Sequence, residues 1–363
     1  MSFINDTGSC QSIDLSNPFW AVRWLYSDTD KLIESIVIPV LSIFGFTGNF
    51  AFLWTIYRMP KMRTGLNAYL ANLAICDILF LVFYVAWPLA NLSADPDPVN
   101  RAYPVNSMVG CVSWVITTRL WYFASVELTT LISVERYFAI CHPVKHRLMT
   151  GKTRNVKLLC AVWITSCGIT LTIIPRFAAF TRYCLIWPNT PEYMDMPESF
   201  NACRSVEGFS NLGAYEGLLY IVFFVLAMAL NGVLYFKIIL ALTRRPIRRH
   251  NNQNDNNQQQ RPSEADVARN QVARTLIASG IVFFVCQLPY RFYSLDDVID
   301  DLLDIDILDT QPKVTILITG RLFLTLNSII NPYIYVFSCQ HYRQAMKEAF
   351  RIRTRAIVPM IQT

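Results

Sequence analysis

The stretch that decides the fold is CVSWVITTRLWYFASVELTTLISVERYFAICHP, residues 111–143. It is mostly apolar and has the composition of one long helix. Cys111 and Arg136 lie 25 positions apart, which at a rise of ~1.5 Å per residue is roughly 37 Å. That length exceeds the hydrocarbon core of a bilayer, which is about 30 Å thick. The stretch therefore predicts a spanning helix with Cys111 at one membrane face and the triplet Glu135-Arg136-Tyr137 at the other.

The composition of the whole chain also indicates a membrane protein. Of its 363 residues, 53% are hydrophobic and 16% are charged, whereas a soluble domain carries about 25% charged residues. Apolar residues cluster in seven segments of the length that a spanning helix needs. These segments are about 34–57, 67–90, 109–140, 158–179, 214–241, 270–294 and 314–337. Because lipid offers no partner to free backbone groups, the prediction is an all-α membrane protein with a seven-helix transmembrane domain at 34–337.

The loops between the segments alternate in charge. Basic residues follow the first, third and fifth segments and fill the tail: Arg58, Lys61, Arg63, Lys145, Arg147, Lys152, Arg154, Arg244, Arg245, Arg248, Arg249, Arg343, Lys347, Arg351, Arg353 and Arg355. Acidic residues fill the other loops, with a run between the sixth and seventh segments: Asp296, Asp297, Asp300, Asp301, Asp304, Asp306 and Asp309. Basic loops stay cytosolic, so the N-terminal segment 1–33 is predicted to be extracellular. Membrane topology, rather than a nucleic-acid partner, then explains the net charge of +6.

Two features fit an oxidising outer side. The sequons Asn5-Asp6-Thr7 and Asn91-Leu92-Ser93 are candidate glycosylation sites. Four of the ten cysteines also fall on this side: Cys10, Cys111, Cys184 and Cys203. An even number of cysteines here favours disulfides, and four cysteines allow three pairings, which the sequence alone leaves open.

Two cytosolic segments have distinctive compositions. The third inner loop, 243–268, contains NNQNDNNQQQ at 251–260, which has nothing to bury and is predicted to be disordered. The tail, 338–363, begins with apolar residues at helical spacing among arginines and lysines: Tyr342, Met346, Ala349 and Phe350. This pattern predicts a short amphipathic helix on the inner membrane surface.

Several polar residues lie at mid-membrane depth: Asn49, Asp77, Ser125, Asn327, Ser328 and Asn331. Polar groups inside a membrane are costly and usually functional. One carboxylate among hydroxyls and amides suits a small cation or an internal water network. Independent hydrogen bonds between helices are the alternative, and we favour the shared cluster.

Ordered motifs occur in each predicted segment: Gly48-Asn49, Leu73-Ala74 to Asp77, Cys111 with Glu135-Arg136-Tyr137, Trp163, Tyr235, Phe283 with Cys286-Gln287-Leu288-Pro289, and Asn331-Pro332-Tyr333-Ile334-Tyr335. Over residues 34–351 the chain thereby resembles the rhodopsin-class G protein-coupled receptors. One such motif is a weak signal, but this many in order is specific. The resemblance implies a multi-pass plasma-membrane receptor that couples to heterotrimeric G proteins.

The resemblance also implies roles for individual residues. The set for G protein coupling and activation is Glu135, Arg136, Tyr137, Tyr235, Asn331, Pro332 and Tyr335. Within it, Glu135 restrains Arg136 at rest, and Tyr235 and Tyr335 move toward Arg136 on activation. The family's allosteric sodium ion, the one cofactor implied, would bind at Asp77, Ser125, Asn327 and Asn331.

One disulfide is implied by the resemblance, from Cys111 to the second outer loop. Cys203 lies 24 residues before Ala227, which takes the place of the family's usual helix 5 proline. That spacing suits the family's bonding partner, so Cys203 is preferred to Cys184. A second bridge between Cys10 and Cys184 is compatible with this choice, but the sequence leaves that pairing open.

Besides Ala227, two positions depart from the family pattern, and one further residue has no role in it. Gln287 replaces the usual tryptophan beside the helix 6 proline, so the aromatic toggle is missing. Arg269 occupies the foot of helix 6, where some members carry an acid that pairs with Arg136, and this leaves Glu135 as the expected restraint. Glu127, in the middle of helix 3, has no implied role and is expected to be neutral or bonded to helix 4 or 5.

A ligand pocket in this fold opens between helices 3, 5, 6 and 7. Thr118 occupies the place of the amine-binding aspartate, and Thr325 that of the retinal lysine, so amine and retinal ligands are disfavoured. The candidate ligand-binding residues are Arg119, Glu216, Gln287, Tyr290, Arg291 and Arg321. As alternatives, the arginines snorkel to the headgroups, or Glu216 neutralises Arg119.

The pocket residues Tyr290, Arg291 and Arg321 resemble those of thyrotropin-releasing-hormone receptors, and the stretch IPRF at 174–177 resembles invertebrate FMRFamide-type receptors. Both branches bind short amidated peptides, which implies an amidated neuropeptide as the extracellular partner. The aspartate run predicts that this peptide is basic. A chemoreceptor for a small acidic molecule and a membrane transporter are the alternatives, although no internal repeat supports a transporter. An enzyme is not supported, because the histidines lie at or beyond the inner face with no nucleophile nearby.

Overall fold

The computed structural model of the chain describes residues 3–4, 10–94, 107–206, 212–250, 264–303 and 310–351. Its long helices are α1 (Ile38–Arg58), α2 (Gly65–Ala94), α3 (Met108–Cys141), α4 (Lys152–Ile173), α5 (Leu212–His250), α6 (Glu264–Leu303), α7 (Thr310–Ser338) and α8 (Gln340–Phe350). Shorter helices cover Pro18–Ala21, Asp28–Leu32 and Pro143–Met149. The strands are β1 (Phe3–Ile4), β2 (Gln11–Asp14), β3 (Ala179–Ile186) and β4 (Ser199–Arg204).

Helices α1 to α7 form a closed bundle. Each of α1, α2, α3, α5, α6 and α7 packs against its neighbours around the ring, and α7 closes it against α1. Helix α3 contacts α2, α4, α5 and α6, so it is the central element of the bundle. Five helices in the described part of the chain are long and apolar enough to cross a bilayer, and α7 with α8 makes a sixth candidate. Helices α7 and α8 meet at 99°, as expected for a spanning helix followed by a surface helix.

The helices extend beyond several of the predicted boundaries. Helix α5 continues through His250 and α6 begins at Glu264, so helix covers both ends of the loop predicted at 243–268. Its residues 251–263 lie outside the described part of the chain. The tail residues 352–363 and the sequon residue Asn5 lie outside it as well, and Asn91 falls within the backbone of α2.

The outer end of α6 corrects the predicted acidic loop. Helix α6 runs to Leu303, so Asp296, Asp297 and Asp300 are helical residues rather than part of a connecting loop. Asp296 is buried, with 2% of its surface exposed. The remaining aspartates of the run, from residue 304 on, lie outside the described residues.

Helix α4 ends earlier than its predicted limit of 179. It stops at Ile173 and is followed by a single tight turn, Ile174–Arg176. Pro175 lies in that turn, and it disfavours a continued α-helix because it has no N–H to donate and its ring clashes with the carbonyl group four residues earlier. The next residues form β3, which begins at Ala179.

An outer β-sheet is the feature that the all-α prediction did not anticipate. Strands β3 and β4 form an antiparallel hairpin, β2 pairs parallel with β3, and β1 pairs antiparallel with β2. The N-terminal segment is therefore part of the second outer loop's sheet. Ile13, Leu15 and Trp24 of that segment pack with Leu185 and Phe200 in one apolar cluster.

Two disulfides hold this outer region together. Cys111, in the first turn of α3, is joined to Cys203 on β4, and Cys10 is joined to Cys184 on β3. The first is the pairing that the family resemblance favoured, and the second is the bridge that the sequence left open. One bridge ties the sheet to the helix bundle, and the other ties the N-terminal segment to the sheet.

The two bridges should differ in importance. We expect Cys111→Ser and Cys203→Ser each to lose most surface expression, since only this bridge joins the sheet covalently to α3. The double variant should be no worse than either single one. Cys10→Ser and Cys184→Ser should reduce surface expression less, because β2 keeps its hydrogen bonds to β3 and its apolar cluster. Surface labelling of intact cells measures this, with the membrane cysteine variant Cys167→Ser as the control. Loss of expression in Cys184→Ser but not in Cys203→Ser would contradict the pairing.

Candidate functional site

The outer half of the bundle contains a carboxylate shared by two arginines. Glu216, near the start of α5, lies 3.0 Å from Nε of Arg119 on α3 and 2.9 Å from Nε of Arg176. Glu216 is buried, and the guanidinium of Arg119 also lies over the rings of Phe177 and Tyr220. The predicted ligand residues Arg119 and Glu216 therefore neutralise each other, which was the alternative considered for them.

A second predicted ligand residue, Arg321, is also engaged. Its Nη1 donates to Oε1 of Glu34 at 2.6 Å, and only 1% of the Glu34 surface is exposed. Glu34 lies in a wide helical turn, Ile33–Val37, at the outer end of α1. Tyr26 of the N-terminal segment approaches the pair, and burial raises the pKa of its hydroxyl. This ion pair joins α7 to α1 across the bundle.

Arg291 on α6 has different surroundings. Its guanidinium carbon lies 4.5 Å from the ring centre of Tyr122, 4.8 Å from that of Tyr220 and 5.1 Å from that of Tyr290. Its Nη2 donates weakly to Oε1 of Gln287 at 3.5 Å. Nε and Nη1 are buried without a hydrogen-bond partner in the described part of the chain. Arg291 is thus a buried cation that contacts aromatic faces, and its Nε and Nη1 remain available as hydrogen-bond donors.

The polar cluster at mid-depth is brought together largely as predicted. Asn331 Nδ2 donates to Oδ2 of Asp77 at 3.1 Å, and Ser279 Oγ donates to Oδ1 of Asn331 at 2.7 Å. Asn49 joins α1 to the same region by donating to the carbonyl oxygen of Ser328 at 2.8 Å. These bonds link α1, α2, α6 and α7. The cluster is shared rather than a set of unrelated pairs.

The same cluster has oxygen atoms that suit a sodium ion. Asp77, Ser125 and Asn327 are buried, and Oδ1 of Asn327 has no hydrogen-bond partner among the described residues. A carboxylate, a hydroxyl and an amide carbonyl are hard oxygen donors of the kind that hard cations prefer. Asn331 differs, since its amide already donates to Asp77 and its carbonyl accepts from Ser279. The residues present therefore fit the ion, with Asn331 orienting Asp77.

At the cytosolic end the structure corrects the predicted restraint on Arg136. Glu135 pairs with Nη2 of Arg154 at 2.5 Å and with Nε2 of His146 at 3.1 Å, not with Arg136. His146 lies in the short helix after α3, and Arg154 lies in the first turn of α4. Nε of Arg136 is buried without a hydrogen-bond partner in the described residues. Arg154 and His146 are thus the partners of the Glu135 carboxylate in this structure.

Aromatic residues connect α5, α6, α7 and α8 near Arg136. The Tyr235 hydroxyl bonds to Ser133 Oγ at 2.8 Å, and a side chain at Gly280 would collide with it. Tyr335 of α7 packs against Tyr342 of α8, with the two rings tilted by 38°. Tyr342 donates to Oδ1 of Asn67 at 3.0 Å, and burial raises the pKa of its hydroxyl, so it remains a donor.

The sequence also matches known proteins. A family model described as 7 transmembrane receptor (rhodopsin family) matches residues 48–335. The chain belongs to this family. The receptor is 28% identical to the thyrotropin-releasing hormone receptor of Mus musculus, a match that covers 95% of the chain and 84% of that relative. It is 25% identical to the allatostatin-A receptor of Bombyx mori, covering 88% and 82%, and 24% identical to the substance-K receptor of Canis lupus familiaris, covering 86% and 73%.

Membership confirms the predicted class. The receptor is a multi-pass membrane protein of the G protein-coupled family with peptide receptors among its relatives, and it is not an enzyme. The seven-helix fold is confirmed as well.

Several residues of the outer half of the receptor were not predicted from the sequence. Glu34 and Arg176 complete the two outer ion pairs, and Tyr122 and Tyr220 complete the cage around Arg291. A sequence signal existed for Glu34, because an acid at the start of an apolar span needs a partner. Tyr122 and Tyr220 have the spacing of ordinary residues of an apolar helix, so the sequence gave no signal for them.

Glu127 has the cross-helix partners that were expected for it. Its carboxylate accepts from Thr165 Oγ1 at 2.5 Å and from Ser166 Oγ at 3.2 Å, both on α4. The bonds lie at the α3–α4 contact, and two hydroxyls satisfy the carboxylate there. Glu127 therefore serves to hold α4 against α3.

The pairing of Glu135 generates a test of the cytosolic end. Removing Arg154 should leave Glu135 available to its neighbour Arg136, which would strengthen the resting restraint. We expect Arg154→Gln to lower basal nucleotide exchange on the G protein by severalfold. Arg154→Lys should retain most of it because the charge remains.

The matched control is Arg147→Gln, which removes an exposed arginine from the same inner loop. It should leave basal exchange close to that of the unmodified receptor. Equal exchange in Arg154→Gln and the unmodified receptor, at equal surface expression, would show that the Glu135 pairing does not control Arg136.

Proposed function

We propose that this receptor binds a short, amidated peptide with at least one basic residue on its extracellular side and signals through heterotrimeric G proteins. The proposal includes a plasma-membrane location with the N-terminus outside, for which the basic inner loops are the support. Family membership and the peptide receptors among the relatives support the class of ligand. The observation that carries the proposal at the level of residues is the aromatic cage around Arg291.

Arg291 is the arginine of the outer pocket with the greatest capacity for a ligand. Arg119 and Arg321 have carboxylate partners, whereas Nε and Nη1 of Arg291 have no partner in the described part of the chain. Leaving buried donors unsatisfied is costly, so an acceptor that reaches them gains a charge-assisted hydrogen bond of roughly 1.5–3 kcal/mol. The carbonyl oxygen of a C-terminal amide is such an acceptor and brings no charge of its own.

The surrounding side chains favour a ring or a small apolar group beside that amide. Tyr122, Tyr220 and Tyr290 provide aromatic faces on which a ligand ring packs, and Gln287 offers an amide one helical turn below Arg291. Moving an amidated C-terminus into such a site costs less desolvation free energy than moving a carboxylate there, because the amide is uncharged.

The basic residue of the peptide would lie farther out. Asp297 and Asp300 lie on the outermost turns of α6, and further aspartates follow them in the sequence. A field of one sign at the mouth of a cleft raises the encounter rate of an oppositely charged ligand. The basic residue would therefore speed association more than it strengthens the final complex.

One observation favours the chemoreceptor alternative. The outer half of the bundle holds Arg119, Arg176, Arg291 and Arg321 against the carboxylates Glu34 and Glu216. Arginines in a buried site suit an acidic ligand, and Arg291, whose Nε and Nη1 have no hydrogen-bond partner among the described residues, would pair with a carboxylate. The two hypotheses therefore differ in the charge of the group that reaches Arg291.

Paired peptides separate these hypotheses. We would screen a library in which each peptide exists as the C-terminal amide and as the free acid, measuring nucleotide exchange in membranes that contain the receptor. An amide agonist should lose roughly ten- to hundredfold in potency at Arg291→Gln, the equivalent of one charge-assisted hydrogen bond. Arg291→Lys should recover part of it.

The matched control is Arg182→Gln, an exposed arginine of β3 that bonds to Ser199. The potency of the amide agonist at this variant should be within about twofold of its potency at the unmodified receptor. A free acid that outperforms its amide, with the advantage lost in Arg291→Gln, would instead establish the acidic-ligand alternative.

We further propose that Asp77 binds an allosteric sodium ion together with Ser125 and Asn327. When bound, the ion would supply a counter-charge to the buried carboxylate and hold α2, α3 and α7 in the resting arrangement. The orphaned Oδ1 of Asn327 supports this assignment, because a buried acceptor without a donor is rare.

Asp77→Asn should therefore abolish the dependence of agonist affinity on sodium. Agonist binding would be measured in sodium chloride and in matched choline chloride, so that ionic strength is constant. The control variant is Glu127→Gln, another carboxylate inside the membrane, which should leave the sodium effect unchanged. A sodium effect that persists in Asp77→Asn would remove the assignment.

A further inference from the structure

A groove of about 280 Å³ lies between α5 and α6, on the surface of the bundle. It is separate from the outer pocket and from the sodium cluster, since none of their residues line it. The principal lining side chains are Ile239, Leu242 and Thr243 of α5, and Arg274, Ile277 and Ile281 of α6. Ile239 and Ile281 are about half exposed, so the groove opens outward toward lipid.

The groove is polar at one end and apolar at the other. Helix α5 runs toward the third inner loop and α6 runs away from it, so Thr243 and Arg274 mark the end nearest that loop. Ile239 and Ile281 mark the opposite end. Arg274 and Ile281 are seven residues apart, which is ~10 Å along the helix axis. The polarity therefore runs along the membrane normal, like that of a lipid molecule.

The polar end is also cationic. Arg274 is exposed, and it has no ion pair with any residue that the structure describes. Beyond Thr243, helix α5 continues through the sequence Arg244, Arg245, Arg248 and Arg249. An anion at this end would meet Arg274 directly.

We propose that this groove binds one anionic phospholipid of the inner leaflet. An acyl chain would lie along Ile239, Ile277 and Ile281, and the phosphate would accept hydrogen bonds from the Arg274 guanidinium. Anionic lipids are concentrated in the cytosolic leaflet, and basic pockets between helices on that side suit their headgroups. A soluble phosphate would contact only the cationic end of the groove and would leave its five apolar lining residues uncovered. A phospholipid contacts both ends, because its phosphate meets Arg274 and its acyl chain covers the apolar residues.

The site rests on the orientation proposed above and is independent of which ligand the outer pocket takes. It also has a consequence for signalling. Both helices line the groove, so a change in the separation of α5 and α6 changes the contacts with the lipid. A lipid that binds the two arrangements with different affinity shifts the equilibrium between them.

The test uses the purified full-length receptor in detergent, titrated with phosphatidylserine or phosphatidylcholine of identical acyl chains. Native mass spectrometry counts the bound lipids. We expect tighter binding of phosphatidylserine by about tenfold, the equivalent of one charge-assisted contact. Arg274→Gln should abolish that preference. Arg343→Gln, which removes an exposed arginine from α8, should retain it.

A second variant tests the apolar half. Ala278→Trp places a large side chain in the groove and leaves every charge unchanged. It should lower the occupancy by both lipids, while surface expression reports whether the variant folds. Glycerophosphoserine, which has the headgroup without acyl chains, should not compete.

Three results would each overturn the proposal. The first is a phosphatidylserine preference that survives Arg274→Gln. The second is an equal loss in Arg343→Gln, which would indicate general surface charge. The third is effective competition by glycerophosphoserine, which would indicate a headgroup site without an acyl groove. None of these results bears on the peptide ligand, because no agonist is present in the assay.

Discussion

A charged side chain inside a bilayer loses its water, and it then needs either an opposite charge or a set of hydrogen bonds. In the described part of this receptor, that requirement joins elements that are far apart in sequence. Glu216 neutralises arginines from α3 and from the turn after α4, and Glu34 pairs with Arg321 across the α1–α7 contact. Glu127 meets the same requirement with two hydroxyl groups of α4. The pairs fix how the helices are rotated, which apolar packing alone would leave less specific.

The same requirement explains where the sequence was informative and where it was not. Segment lengths, loop charges and ordered motifs predicted the bundle, the surface helix and the shared cluster at Asp77, because each depends on local composition or on family pattern. Partners were harder to predict. Glu135 has Arg136 beside it in sequence, yet it pairs with His146 and Arg154, whose positions depend on the fold of the inner loop. The parallel pairing of β2 with β3 depends similarly on a contact between distant segments.

The outer sheet changes how the pocket should be pictured. The N-terminal segment adds a strand to the hairpin of the second outer loop, and apolar residues from both form one cluster. Tyr26, which follows this cluster, approaches the Glu34–Arg321 pair. The sheet is therefore connected to the helix ends on the α1 and α7 side as well as to α3. A ligand that enters from the outer side therefore meets a surface formed by three parts of the chain.

Helix α3 connects this outer surface with the cytosolic end. It carries Arg119 at the outer pocket, Ser125 at the cluster around Asp77 and Glu135 at the inner loop. We propose that a ligand which alters the Arg119 contacts would shift α3 and, with it, Glu135. Glu135 contacts Arg154 and His146 from other elements, and Arg136 lies beside it in the sequence. A small movement of α3 would then redistribute this carboxylate among the three side chains and would change how firmly Arg136 is held.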